Sequence, residues 1–154
     1  MRWIPGLLLI SMLGACCTAA TEPETAKASE EKVIEAIRGM YQAYQQADLP
    51  RVGKYLTEDS TCYDAATSVL VRGRKAVLDH FGTILARHEP GEAWESSIEG
   101  MKVTTSNDLA VATYQLRTSA GGIHALSAVT QVFQRRGDAW LGIHLHRSWT
   151  LPPK

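Results

Sequence analysis

The chain has 154 residues, 16 Lys and Arg against 16 Asp and Glu, and is 45% hydrophobic and 21% charged. That is the composition of one ordinary globular domain, and it excludes low complexity, collagen and long coiled coil. The length leaves no room for a catalytic domain beside a separate cofactor domain, and no cofactor is expected. A formal charge of zero, with no cluster of Lys and Arg interleaved with aromatics, removes the counterion-release drive toward nucleic acid, so no nucleic-acid partner is expected.

The opening MRWIPGLLLISMLGACC sets Met1-Arg2 before a short apolar stretch from Ile4 to Leu13 and then small residues, the layout of a secretory signal. A spanning helix needs ~20 apolar residues, and Pro5 and Gly6 weaken this shorter run further. Leu13-Gly14-Ala15-Cys16 resembles the bacterial lipoprotein signal, which is cleaved before the cysteine that then carries acyl chains. The resemblance implies a signal peptide over 1–15 and lipidation at Cys16. It also implies a membrane-anchored, periplasmic protein of a bacterial cell envelope. Several chains at ~0.8 kcal/mol per buried CH₂ anchor without a spanning helix. Residues 16–29 are small and polar, contain Pro23, and read as a flexible tether. Within the domain expected over 30–152, Cys62 stands alone, so no intradomain disulfide can form.

From Ser29, which can cap, Val33, Ile34, Ile37, Tyr41 and Tyr44 follow at helical spacing to about Ala47. Asp48 and Pro50 restart the chain into a short helix carrying Leu49, Val52, Tyr55 and Leu56, closed by a polar turn at Thr57-Glu58-Asp59-Ser60. Short β-rich pieces at Thr61–Asp64 and Val69–Val71 flank a loop of small residues, and a third helix gathers Val77, Phe81, Ile84 and Leu85 on one face. Glu89-Pro90-Gly91 stops it. Four strands then run from about Ala93 to Thr105, to Thr118, to Arg136 and to Thr150, with turns at Asn107-Asp108, Gly121-Gly122 and Gly137-Asp138, an antiparallel meander. Helices packed on a long curved antiparallel sheet make an α+β cone with an opening at one end.

The segments ADLPRVGKYLTEDSTCYDA, VRGRKAVLDHF and TQVFQRRGDAWLGIHLHRSW, in this order and spacing, resemble the SnoaL-like branch of the nuclear transport factor 2-like superfamily. The last segment is also similar to the association (hub) domain of calcium/calmodulin-dependent protein kinase II. The resemblance implies a conical, cystatin-like fold, self-association into a homodimer or higher homo-oligomer through the outer face of the sheet, and a cavity between sheet and helices. Activity does not follow from it and has to be argued from the site.

Asp64 is the sharpest catalytic candidate, because TEDSTCYDA is similar to the segment that places the general-base aspartate of ketosteroid isomerase. A carboxylate in an apolar cone is held partly neutral by desolvation and can shuttle a proton beside a carbonyl. The isomerase's helix tyrosine corresponds to a position close to Met40 here, so Tyr41 and Tyr44 are the phenols available as donors. The alternative is that Asp64 caps the turn into Ala65-Ala66. Arg147 is the leading binding candidate: Leu141, Ile143, Leu145, Arg147 and Trp149 alternate onto one expected face, an apolar wall ending in a guanidinium that suits an anionic head on an apolar body. The alternative pairs Arg147 with a carboxylate at the sheet rim. Hub domains of the resembled family can carry another Arg where Gln131 stands here. Gln131, Phe81 and Tyr44 complete the expected ligand-binding set.

His144 and His146 fall on the opposite face of the last strand. With His124 or Asp64 they could in principle ligate a metal, but hydrogen bonding or an interface role is the expectation and no metal is assigned. Cys62 has no cation or helix N-terminus in sequence to activate it. Three functions remain open: a lipid-anchored domain that self-associates and binds a small, partly apolar anion; an isomerase or dehydratase with Asp64 as base; and an assembly protein with no ligand.

Overall fold

The computed structural model describes residues 25–65, 67–87, 95–120 and 123–150. The signal segment, Cys16 and most of the expected tether lie outside the described residues. The first helix, α1, spans Ala26–Gln45 and begins before Ser29, because Thr25 rather than Ser29 caps it by accepting a hydrogen bond from the Ala28 N–H at 3.3 Å. Ser29 is buried instead, on the stripe that also carries Val33, Ile37, Met40 and Ala43. Ala47 ends the turn with φ of 54°, and Asp48 caps α2 (Leu49–Gly53) by accepting from the Arg51 N–H at 3.0 Å.

The polar run Thr57 to Ser60 is not a turn. It belongs to β1 (Leu56–Tyr63), where Thr57 and Ser60 are buried while Glu58 and Asp59 point to solvent. What decides this is partnership: β1 lies parallel to the final strand β6 (Ala139–Thr150), with Leu56 opposite Gly142 and Cys62 opposite Leu145, and that pairing outweighs local turn propensity. A hairpin to β2 (Leu70–Arg72) leads into α3 (Arg74–Leu85). Strands β3 (Glu95–Ser106), β4 (Leu109–Ala120) and β5 (Ile123–Arg136) complete a six-stranded sheet in the order β2-β1-β6-β5-β4-β3.

Strand β4 shows the strict alternation of a half-buried strand: Ala110, Ala112, Tyr114, Leu116 and Thr118 face inward, and Leu109, Val111, Thr113, Gln115 and Arg117 face outward. The register shifts in three strand pairs, between Leu56 and Thr61 of β1 against β6 and at two bulges. In β3 the register slips by one residue between Glu99 and Lys102, where Gly100 takes φ of 61° at no steric cost. In β6, Gly142 opposes Phe133 while His144 opposes Val132, so Ile143 is the extra residue.

That second bulge corrects the expected wall of alternate residues on β6. Ahead of it the buried positions are Trp140 and Gly142, and Leu141 lies on the opposite face. Beyond it Leu145 and Arg147 face inward. The core therefore forms two clusters under α1. One joins Val33 and Ile37 to Ala112, Tyr114, Leu116, Val129, Phe133 and Trp140. The other joins Met40, Ala43, Val52, Leu56, Cys62 and Val77, and Tyr41 and Leu145 pack against both. Among the described residues no helix is long and apolar enough to cross a membrane.

Candidate functional site

Three inward rows cross the sheet where the two clusters meet. The register aligns Ala112, Gln131, Leu145 and Cys62; then Tyr114, Val129 and Arg147; then Leu116, Ser127 and Trp149. Helix α1 covers these rows with Met40, Tyr41 and Tyr44, and α3 adds Phe81. Tyr44 and Phe81 meet edge to face at 5.6 Å, and so do Tyr41 and Tyr114 at 6.1 Å. Apolar and aromatic side chains thus surround a few convergent polar groups.

Arg147 is the only cation in those rows. Its Nε–H donates to Ser127 Oγ at 3.0 Å, and its guanidinium stacks 4.4 Å from the centroid of the Trp149 ring. Nη2 is buried and has no hydrogen-bond partner among the described residues. A buried, unmatched N–H of a charged group costs on the order of 1–3 kcal/mol. Desolvation pulls the Arg147 pKa below its ordinary value, while the nearby phenols of Tyr41, Tyr44 and Tyr114 push it back up. The same burial raises those phenols, Tyr44 to about 12, against the opposing pull of the Arg147 charge. All three therefore stay neutral near pH 7, and the guanidinium is the fixed charge of the site.

A hydrogen-bond chain runs beside it. The Tyr114 hydroxyl lies 3.0 Å from the Tyr41 hydroxyl and 3.0 Å from Gln131 Oε1, and Gln131 Nε2–H donates to Met40 Sδ at 3.5 Å. Gln131 is 0% exposed, and its amide fits because the β6 residue preceding the bulge is glycine: a Cβ at Gly142 would sit 3.2 Å from Gln131 Nε2.

Of the expected residues, the structure brings Tyr41, Gln131 and Arg147 to neighbouring positions on the inner face of the sheet, and Tyr44 and Phe81 pack against each other under α1 and α3. Asp64 lies just past β1, where its Oδ1 accepts from the Thr67 N–H at 3.4 Å and its backbone closes the turn with Ser68 and Val69. It is also two residues beyond the inward-facing Cys62, as Arg147 is two beyond Leu145 on the neighbouring strand. His144 and His146 occupy the outer face. The ring of Tyr63 contacts both, at 5.6 and 5.5 Å, and Thr61 Oγ1 lies 2.8 Å from His144 Nδ1. Among the described residues no three His, Cys, Asp or Glu side chains gather as metal ligands. Burial pushes the Cys62 thiol up to about 11. A separate open groove between α2 and α3, lined by Leu49, Pro50, Leu78 and Gly82 among others, contains none of these residues.

Sequence reasoning missed Tyr114, Ser127 and the part played by Met40. The parity of Tyr114 with Ala110, Ala112 and Leu116 marks it as inward. Its meeting with Gln131 depends on a strand register that local sequence does not carry.

Comparison with known proteins agrees with this fold. The family model described as SnoaL-like domain matches residues 33–152. No curated protein matches the chain. Among solved structures, a nuclear transport factor 2-like protein of unknown function from Pseudomonas putida shares 21% identity over 84% of this chain and 100% of its own, with a TM-score of 0.75. A candidate dehydratase of the same fold family from Streptomyces avermitilis shares 20% identity over 83% and 100%, with a TM-score of 0.74. The calcium/calmodulin-dependent kinase II hub homology domain of Chlamydomonas reinhardtii shares 19% identity over 80% and 99%, with a TM-score of 0.69. With the helices on a curved six-stranded sheet and the match covering nearly all of that fold, the chain belongs to the SnoaL-like domain family of the nuclear transport factor 2-like fold.

Proposed function

We propose that this protein is a lipid-anchored, self-associating SnoaL-like domain of the bacterial cell envelope that binds a small, partly apolar anion against the inner face of its sheet. One observation carries the ligand reading: Arg147 Nη2 is buried, cationic and without a hydrogen-bond partner among the described residues. A folded protein retains such a group at a stability cost, and an incoming carboxylate removes that cost with charge-assisted hydrogen bonds. Ser127 fixes the Nε edge and Trp149 covers one face, so the Nη edge is the part left for the ligand. Leu145, Val129 and Phe81 supply apolar contact. Acylation of Cys16 accounts for the anchor, and self-association rests on the hub homology domain among the structural neighbours.

Native mass spectrometry of the protein purified from its own host tests the site, by comparing native and denatured masses. A co-purifying small anion that Arg147→Ala loses supports the reading, and one that Arg147→Ala retains overturns it. Cys16→Ser is expected to move the protein out of the membrane fraction.

A second reading, an isomerase or dehydratase with Asp64 as base and Tyr44 or Tyr41 as donor, is favoured by one observation. Asp64 follows the end of β1 and Arg147 lies on the neighbouring β6, each two residues past the paired Cys62 and Leu145. The candidate dehydratase among the neighbours is in keeping with it. If it holds, Asp64→Asn abolishes turnover of the recovered ligand and leaves its binding intact.

A further inference from the structure

The hydrogen-bond chain beside Arg147 has a direction, and that direction selects among ligands. Between two hydroxyls either oxygen can donate, so the Tyr41–Tyr114 contact is ambiguous alone. Gln131 resolves it. Met40 Sδ carries no proton, so the group facing it at 3.5 Å is the amide Nε2–H, which leaves Oε1, an acceptor only, toward Tyr114. The single Tyr114 proton therefore goes to Gln131 Oε1, and the Tyr41 proton goes to Tyr114. Tyr41 is left with lone pairs for which no donor is found among the described residues.

We infer that Tyr41 presents an acceptor, not a donor, beside the Arg147 guanidinium, so the site takes a carboxylate that carries its own hydroxyl or N–H donor next to the charge and discriminates against one that offers a carbonyl there. In the rows that hold Tyr114 and Gln131, and among the described residues, Arg147 Nη2 supplies an unmet donor and Tyr41 the matching unmet acceptor. Arg147 shares an inward row with Tyr114 across Val129, and the Tyr114 hydroxyl lies 3.0 Å from that of Tyr41. Gln131 acts through Tyr114 and Tyr41 and is a positioning residue. The inference rests on the anion-binding reading of Arg147 and specifies the class of anion.

The test uses three carboxylates of nearly one size: lactate, with a hydroxyl donor; pyruvate, with a carbonyl in its place; and propionate, with neither. Binding to the purified protein is measured by calorimetry or by Trp149 fluorescence. Lactate is expected to bind about tenfold more tightly than pyruvate, the usual penalty when buried acceptors face each other. Tyr41→Phe removes the oxygen and should erase the lactate preference without changing propionate affinity. Gln131→Leu, checked for folding by its melting curve, lets Tyr114 donate to Tyr41 and Tyr41 donate inward. The lactate-to-pyruvate ratio should then fall to about one or invert, which a purely structural role for Gln131 would not produce. Pyruvate binding as well as lactate to the native protein, with both lost in Arg147→Ala, overturns the inference and leaves the anion site standing. Binding that survives Arg147→Ala overturns the site itself, and the inference with it.

Discussion

Replacing Arg147 by Met separates a binding arginine from a structural one. The structure supplies opposing contributions. Removing the guanidinium relieves the buried, unpartnered Nη2, worth about 1–3 kcal/mol. Against this, the Nε–H bond to Ser127 Oγ is lost, about 1.5–3 kcal/mol for a hydrogen bond to a charged group. The stack on Trp149 is lost too, and because that ring is 52% exposed it contributes only ~0.5–1 kcal/mol. The sums nearly cancel, so the ligand-free variant should lie within ~1–1.5 kcal/mol of the native protein in urea unfolding. A fully paired buried arginine would instead cost ~3–5 kcal/mol on truncation. The liganded comparison behaves differently. At a ligand concentration a hundred times Kd the native protein gains ~2.7 kcal/mol, and Arg147→Met should gain none. A loss of 3 kcal/mol or more without ligand would refute the reasoning, because it would mean the guanidinium is a satisfied strut.

Three other outcomes follow from the packing. Gly39→Ala, which in an exposed helix adds up to ~1 kcal/mol of stability, should here destabilise by ~1–2 kcal/mol, because the new methyl meets the Tyr55 ring with Cζ at 2.7 Å. Tyr55→Leu in the same chain should recover most of that loss in thermal melts. Cys62 should resist thiol reagents at pH 8 until the protein unfolds. Because its folded pKa of about 11 lies above the ordinary thiol value, its contribution to stability is complete below pH ~8.5–9 and falls as pH rises through 11, an alkaline loss that Cys62→Ala should diminish. On the outer sheet face, Val111→Lys should dissociate the oligomer in light scattering of residues 25–154. A native protein that is monomeric across the micromolar range would remove the self-association reading.

The legible parts of the fold were those governed by local periodicity. Val33 and Ile37 of the first helix, the four long strands and the turns at Asn107 and Gly137 each follow from spacing or backbone preference. Thr57 to Ser60 misled because four turn-forming polar residues in a row are drawn into a strand by a partner more than eighty residues away. Leu141 misled because parity holds only until a bulge, and a Gly-Ile pair inside a strand does not announce one. Arg147 was legible as inward since it lies beyond the slip. The chain from Tyr41 through Tyr114 and Gln131 to Met40 draws on a helix and two strands, and only the assembled register brings them together.

The parallel contact of β1 with β6 puts the last-synthesised strand in the interior of the sheet, between the first strand and the meander. Until residues 139–150 leave the ribosome, β1 with its hairpin partner and β3 to β5 are two fragments with open edges facing each other across a missing strand. The guanidinium that marks the site enters with that strand. Any species interrupted ahead of it therefore lacks both the closed sheet and Arg147.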